Sequence, residues 1–132
     1  MIKFFVLLML SFVSLFANTT IYTEGRYYST IDSAGIETPT DSTVEDRSRF
    51  SFDENGLSYT HRTTGGSVTE STYWVEDGST TLLDNGFICN VTSDAGNYYT
   101  VFFLQNVVAY ILKKYDNGSC DIVRFHVKNI VK

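Results

Sequence analysis

Five dipeptides that favour tight turns divide this chain into short runs. They are Asn55-Gly56, Gly65-Gly66, Asp77-Gly78, Asn85-Gly86 and Asn117-Gly118. Asn-Gly, Asp-Gly and Gly-Gly pairs adopt the positive φ values that two-residue hairpin loops require. The runs between them are rich in β-branched and aromatic residues, which are typical of strands. The pattern therefore predicts an antiparallel meander of hairpins.

The runs between the turns predict an all-β fold, because none shows a helical apolar period. The predicted strands are Thr20–Ile31, Val44–Asp53, Leu57–Thr63, Val68–Val75, Ser79–Leu83, Phe87–Thr92, Tyr98–Leu104, Val107–Tyr115 and Ser119–Lys128. Asp32–Thr43 contains the one proline and is dense in Ser, Thr and Asp, so it is predicted as a loop. Consecutive hairpins favour a closed or flattened up-and-down barrel of about eight or nine strands, with a β-sandwich as the alternative.

Two-residue loops also predict which residues face each other. The Asn55-Gly56 turn pairs Phe50 with His61, and the Gly65-Gly66 turn pairs His61 with Glu70. The same reasoning pairs Leu57 with Trp74 and, at the last turn, Tyr110 with Phe125. The residues predicted to point into the barrel are therefore Phe50, Phe52, Tyr59, His61, Glu70, Trp74, Tyr110 and Phe125.

Residues 1–17 have the layout of a secretory signal. Lys3 supplies a positive start, an apolar run follows, and the small residue Ala17 precedes the polar Asn18. The apolar stretch from Phe4 to Ala17 has 14 residues, whereas a membrane-spanning helix needs roughly 20. We predict cleavage near Ala17, a periplasmic or extracellular location and no stable membrane insertion. A retained membrane anchor is the alternative.

Residues 18–132 have the length of one domain with a modest core. The formal net charge is −5, and it becomes −6 when Lys3 is lost with the signal. Nucleic-acid backbones and anionic membranes attract cationic proteins. An acidic chain of this kind is therefore not expected to use nucleic acid as its partner.

Three stretches carry a resemblance to a known family. Glu24-Gly25-Arg26-Tyr27-Tyr28 lies where small bacterial secreted lipocalin-like domains open with a Gly-X-Trp strand. Phe50–Gly56 is similar to the F-x-F-x-x-x-G hairpin of that family. Thr72–Gly78, followed by Thr81-Leu82-Leu83, is similar to its W-x-x-x-x-G…L hairpin. The resemblance implies a barrel that holds a ligand or a partner, without naming either.

His61 and Glu70 form the first candidate site for chemistry. A carboxylate beside an imidazole could hold a polar ligand head or act as acid and base. The alternative, which we favour, is an ion pair at the rim of the sheet, because no nucleophile and no orienting third residue lie in register. We therefore predict no catalysis. The two His lie in separate strands and the two Cys are 31 residues apart, so no metal or other cofactor is predicted.

Arg47, Arg49 and Arg62 form a second candidate site, on the outer face. Arg49 is predicted to face Arg62 directly, and like charges in such a pair repel unless something anionic lies between them. A bound anion, an acidic partner, or the nearby Glu45 and Asp46 would remove the repulsion. The alternative is that the long side chains spread into solvent.

Tyr99, Val101 and Phe103 lie on a predicted strand that is apolar on both faces. Since a barrel exposes one face to water, we expect these three residues to form an outward patch for a partner or a second copy. The alternative is that the N-terminal strand or the Asp32–Thr43 loop covers them.

Cys89 and Cys120 raise the question of a disulfide, which is usual in an exported chain with two cysteines. In a strict meander their strands are three steps apart, or about 14 Å, which is too far for a bond. If Gln105-Asn106 is not a turn, Tyr98–Tyr115 is one long strand and the two cysteines approach. Both alternatives remain open at this stage.

Together these features predict an exported, lipocalin-like binding protein that holds a small apolar ligand and is not an enzyme. The alternative is a protein-interaction or structural module with a filled core, for example an inhibitor of a secreted enzyme. An interior void of roughly 300 Å³ or more would support the ligand.

Overall fold

The computed structural model describes residues 16–40, 44–64 and 68–132, and in these ranges the chain forms ten β-strands and no helix. The strands are β1 Thr20–Ile31, β2 Glu37–Pro39, β3 Val44–Phe52, β4 Ser58–Thr63, β5 Thr69–Val75, β6 Thr81–Leu83, β7 Gly86–Ser93, β8 Tyr98–Leu104, β9 Val107–Lys114 and β10 Cys120–Val131. Residues 1–15 of the predicted signal lie outside the described residues.

Eight of these strands close into a barrel. Its order is β1, β3, β4, β5, β7, β8, β9 and β10, and β10 pairs back onto β1. All pairings are antiparallel. The prediction of an all-β, up-and-down barrel is confirmed, and the β-sandwich alternative is excluded because the sheet has no open edge around the ring.

The segment predicted as the loop Asp32–Thr43 contains the short strand β2, so that prediction is wrong for three residues. The Asp32 carboxylate accepts hydrogen bonds from two following backbone amides, at 3.0 and 2.9 Å, and this turn folds β2 back onto β1. Pro39 is tolerated because β2 is an edge strand. Arg124 of β10 donates to both carboxylate oxygens of Glu37, at 3.1 and 2.7 Å, and holds β2 in place.

Asp77-Gly78 does not form the predicted hairpin, because the strands on its two sides, β5 and β6, do not pair with each other. Both strands pair with β7 instead, through Val75 opposite Val91 and Thr81 opposite Ile88. Gly78 has a φ of 74°, which supplies the turn conformation. The turn therefore connects two strands, β5 and β6, that follow one another along β7.

The register predicted from Asn55-Gly56 is confirmed: Phe50 lies opposite His61 and Phe52 opposite Tyr59. Asp53 fixes this hairpin, because its carboxylate accepts hydrogen bonds from the Leu57 amide at 3.1 Å and from the Ser58 hydroxyl at 2.9 Å.

The register predicted for the next hairpin is wrong by one residue. His61 lies opposite Ser71, and Glu70 lies opposite Arg62. Thr63 pairs with Thr69, so residues 64–68 connect the strands where a two-residue loop was expected; Gly65 and Gly66 lie outside the described residues. A slip of one residue reverses the faces of β5. Trp74 therefore points outward and is 50% exposed.

The C-terminal hairpin also differs from the predicted register. Tyr110 lies opposite Val123, and Phe125 lies opposite Val108, where Tyr110 was expected to face Phe125. The register shifts between Asp121 and Ile122, which marks a bulge. Tyr110 and Phe125 nevertheless both face the interior and are buried. The observed register differs from the predicted one by an even number of residues, which keeps the same side chains on the inner face.

Candidate functional site

The interior of the barrel is occupied by aromatic side chains from opposite walls. The hydroxyls of Tyr59 on β4 and Tyr110 on β9 are 2.6 Å apart and form a hydrogen bond, although these strands stand on opposite sides of the ring. The rings of Phe50 on β3 and Phe103 on β8, another opposed pair of strands, meet edge to face at 6.4 Å. Burial holds the pKa of both phenols well above the usual value, so both remain protonated.

The structure separates the eight residues predicted to point inward into two groups. Those in the buried core are Phe50, Phe52, Tyr59, Tyr110 and Phe125. His61 also faces inward, packed against Phe50. Glu70 and Trp74 are exposed on the outside, because of the register slip between β4 and β5.

A polar cluster that the sequence did not predict lies at one end of the core. The register of β1 shifts between Glu24 and Arg26, and Gly25 at this bulge has a φ of 78°. Such a bulge redirects the following side chain. Arg26 consequently forms an ion pair with the buried Asp46, at 3.2 Å, and Ser48 donates a hydrogen bond to the same carboxylate at 2.5 Å.

His61 lies beside this cluster in an apolar setting. Its ring is stacked on Phe50, with the centroids 4.3 Å apart and the planes 9° apart. Burial lowers the pKa of His61 to about 4; the nearby Asp46 opposes the lowering and Arg26 adds to it. The imidazole is therefore neutral at neutral pH, and its Nε2 atom is buried without a hydrogen-bond partner. The predicted contact with Glu70 is not formed.

The arginine pair on the outer face is confirmed: Arg49 lies directly opposite Arg62. Arg62 is also opposite Glu70, and their charged atoms are 3.8 Å apart. Glu70 thus offsets the repulsion between the two arginines. Within the described residues, Glu70 has this outer role and takes no part in the barrel interior.

Three cationic residues, Arg47, Arg49 and Lys128, share an outer groove of about 330 Å³ that we call the cationic groove. Its other lining residues are Tyr22, Thr23, Glu24, Ser48, Thr64 and Asn129. None of the three ion pairs found among the described residues involves Arg47, Arg49 or Lys128. The groove therefore carries an excess of positive charge on an acidic protein.

A bulge in β10 brings Lys128 to this groove. Tyr22 pairs with Asn129 and Thr23 pairs with Val127, so Lys128 is the extra residue between them. Bulges re-aim side chains without ending a strand. Lys128 had not been predicted as part of the arginine site, because a bulge of this kind leaves no turn residue in the sequence.

Tyr99, Val101 and Phe103 do not form an outward patch, so that placement is corrected. Val101 and Phe103 are fully buried, and Tyr99 packs against the core. Cys89 lies opposite Val101, and both point inward. The outward residue of this strand end is Tyr98, which is 81% exposed.

Cys89 and Cys120 are both free. β8 and β9 are separate paired strands, so Gln105-Asn106 is a turn and the two cysteines stay three strands apart in the ring. Burial raises the pKa of the Cys89 thiol to about 12, which makes it unreactive at neutral pH.

No protein-family model, curated protein or solved structure matches this chain. In the part of the chain that the structure describes, no three His, Cys, Asp or Glu residues gather as a metal site would require. The same residues form no helix that is long and apolar enough to cross a membrane. The geometry of the barrel itself is therefore the basis for assigning a function.

Proposed function

We propose that this protein is an exported, non-catalytic protein-interaction module, and that it binds an acidic segment of a partner in the cationic groove. The barrel acts as a rigid frame, and the groove on β1, β3 and β10 is the binding surface. We also propose that the chain is a lipocalin-like domain and that residues 1–17 are the signal for its export.

The single observation that carries the proposal is the contact between opposite walls of the barrel. The Tyr59–Tyr110 hydrogen bond spans the interior, and the aromatic rings around it occupy the space that a lipocalin-like ligand would need. A module whose interior is filled acts through its outer surface. This favours the interaction module over the small apolar ligand.

Charge and geometry favour the cationic groove as that surface. Arg47 and Lys128 are exposed, and they project from strands on either side of β1. Arginine makes paired hydrogen bonds with carboxylates, and a concave site with one sign of charge attracts the opposite charge. Glu24 lies in the same groove, and its negative charge would repel an acidic segment that comes close to Arg47.

The test uses a short polyglutamate peptide as the probe and isothermal titration calorimetry at low ionic strength. We expect weak binding that added salt reverses, and we expect the double variant Arg47→Glu/Arg49→Glu to abolish it. The matched control is Lys113→Glu/Lys114→Glu, which changes the net charge equally on exposed residues of β9 and should leave the affinity within about twofold. Equal losses in the two variants would show that net charge, and not the groove, attracts the peptide.

The apolar-ligand alternative has its own test, native mass spectrometry of protein purified from its own host. The proposed module is expected to have the mass of the polypeptide alone or of a complex with a protein. A retained small apolar molecule, released by solvent extraction, would overturn the assignment of a filled interior.

A further inference from the structure

Phe16 packs at one end of the barrel, and the predicted cleavage would remove it. Phe16 lies on the signal side of Ala17, yet its ring meets Phe87 edge to face at 4.5 Å and Phe52 at 5.8 Å. It packs against the hydrophobic core. In the uncleaved chain, Phe16 therefore extends the aromatic packing of the described interior at this end of the barrel.

The surroundings of Phe16 form a preformed apolar site. A pocket of about 300 Å³ opens beside its ring, lined by Ile21, Asn85, Gly86, Phe103, Leu104, Gln105 and Ile130. The walls that the Phe16 ring touches, Phe52 and Phe87, are only 5% and 4% exposed while the ring is present. Loss of the ring would expose both of them to water, at an energetic cost that an incoming apolar group removes.

The new N-terminus would not refill the site. The Asn18 amide donates to the Asp53 carbonyl at 2.8 Å, and the Phe52 amide donates to the Thr19 carbonyl at 2.8 Å. These bonds hold the first residues of the mature chain along β3. Cleavage would remove a third bond, from the Thr19 amide to the Phe16 carbonyl at 3.1 Å, but it would keep these two, which hold Asn18 and Thr19 beside β3 and leave the site open.

We propose that removal of residues 1–17 vacates an aromatic socket, and that the mature protein uses it to hold one aromatic side chain of a partner peptide. The occupant is inferred from Phe16 itself, a phenyl ring on a peptide that already fits edge to face against Phe87. The inference rests on the proposed export and cleavage. It adds a second, apolar contact to a partner whose acidic segment lies in the cationic groove.

The test compares two purified chains with native ends, residues 18–132 and residues 16–132. The probes are acetyl-Ser-Leu-Phe-Ala, which copies residues 14–17, and acetyl-Ser-Leu-Ala-Ala. Amide chemical-shift titration should show millimolar binding of the Phe peptide to 18–132, with shifts centred on Gly86 and Phe103. Affinity should be at least about tenfold weaker for 16–132, where Phe16 competes in cis, and for the Ala peptide.

A variant keeps the test decisive even if the shorter chain folds poorly. Phe16→Ala in the 16–132 chain vacates the socket at constant length and should bind the Phe peptide as 18–132 does. Equal binding by all chains, equal binding of the two peptides, or no binding at all would overturn the socket. Mass measurement of the exported protein tests the cleavage separately, so a failed socket is distinguishable from a failed export proposal.

Discussion

The Tyr59–Tyr110 pair shows why a filled barrel depends on single hydroxyl groups. One hydroxyl donates a hydrogen bond to the other, and both tyrosines are buried away from water. Removing one leaves the other buried and unpaired, which costs more than losing the bond itself. The pair therefore links two opposite walls of the barrel, and replacing only one of the two tyrosines is expected to lower stability.

We expect Tyr110→Phe to lower the free energy of unfolding by about 1–3 kcal/mol, because the Tyr59 hydroxyl is left without a partner. The double variant Tyr59→Phe/Tyr110→Phe should be more stable than the single variant, because it removes both polar atoms. Urea denaturation of the four proteins in this cycle measures the effect. Additive losses would contradict the direct bond.

The neutral state of His61 predicts a pH dependence of stability. The pKa of His61 is about 4 in the folded protein and about 6.5 in an unfolded chain. As the pH falls below about 6.5, the unfolded chain binds a proton that the folded chain refuses, so stability is lost. Between about pH 7 and about pH 5 this loss amounts to about 2 kcal/mol, and it would level off below about pH 4.

The measurement is urea denaturation of the native protein and of His61→Gln at both pH values. The native protein should lose the additional stability and the variant should not. A variant that follows the native profile would show that the His61 pKa is not lowered.

At the scale of single elements, Gly86 is required by a close approach between neighbouring strands. It lies in β7 opposite Leu104, and a Cβ atom placed there would overlap the backbone oxygen of Phe103 and lie 2.9 Å from the Leu104 Cα. Gly96 differs, because its φ is 84° but a Cβ there meets nothing within 4 Å. One glycine is needed for space and the other for conformation.

We expect Gly86→Ala to destabilise the fold by roughly 2–3 kcal/mol, since backbone atoms cannot move aside without breaking the β7–β8 ladder. Gly96→Ala should cost only about 1 kcal/mol, the strain of a left-handed alanine. Thermal or urea unfolding of the two variants gives the comparison. A Gly86→Ala variant as stable as Gly96→Ala would contradict the close approach.

The same glycine shows how far turn residues predict hairpins. Asn85-Gly86 does mark a turn, but Leu83 pairs with Gly86, so the loop is Asp84-Asn85. Where a side chain reinforces the turn, as Asp53 does after β3, the register follows from the sequence. Gly65-Gly66 permits several loop lengths, and the β4–β5 register slipped by one residue as a result.

Only part of the cationic groove could be predicted from the sequence, because strand alternation is regular and bulges are not. The alternation of β3 places Arg47 and Arg49 on the outer face, and the sequence alone indicates this. Lys128 joins them, and Arg26 turns inward, only because bulges interrupt the alternation. Gly25 marks the bulge that turns Arg26 inward, whereas the bulge at Lys128 has no glycine or turn residue to reveal it in the sequence.

At the scale of the whole molecule, closure between β1 and β10 makes the start of β1 and the end of β10 neighbours. Thr20 pairs with Val131 in the seam that completes the ring. Chain termini that lie together on a surface can be joined, and exposed loops can then be opened in their place. The loop at Asp116–Gly118 is exposed and joins β9 to β10.

A circular permutant therefore tests closure directly. The chain would join Lys132 to Asn18 through a short Gly-Ser linker and begin at Asn117, which keeps the Asn117 side chain beside the Ser119 amide. We expect a folded barrel with a native-like far-UV circular dichroism spectrum, because the β1–β10 pairs become local while all other pairs survive. A control opened between Thr100 and Val101 divides β8, whose Val101 is fully buried, and should not fold. Failure of the first permutant with its linker intact would indicate that β1 and β10 do not close the ring in solution.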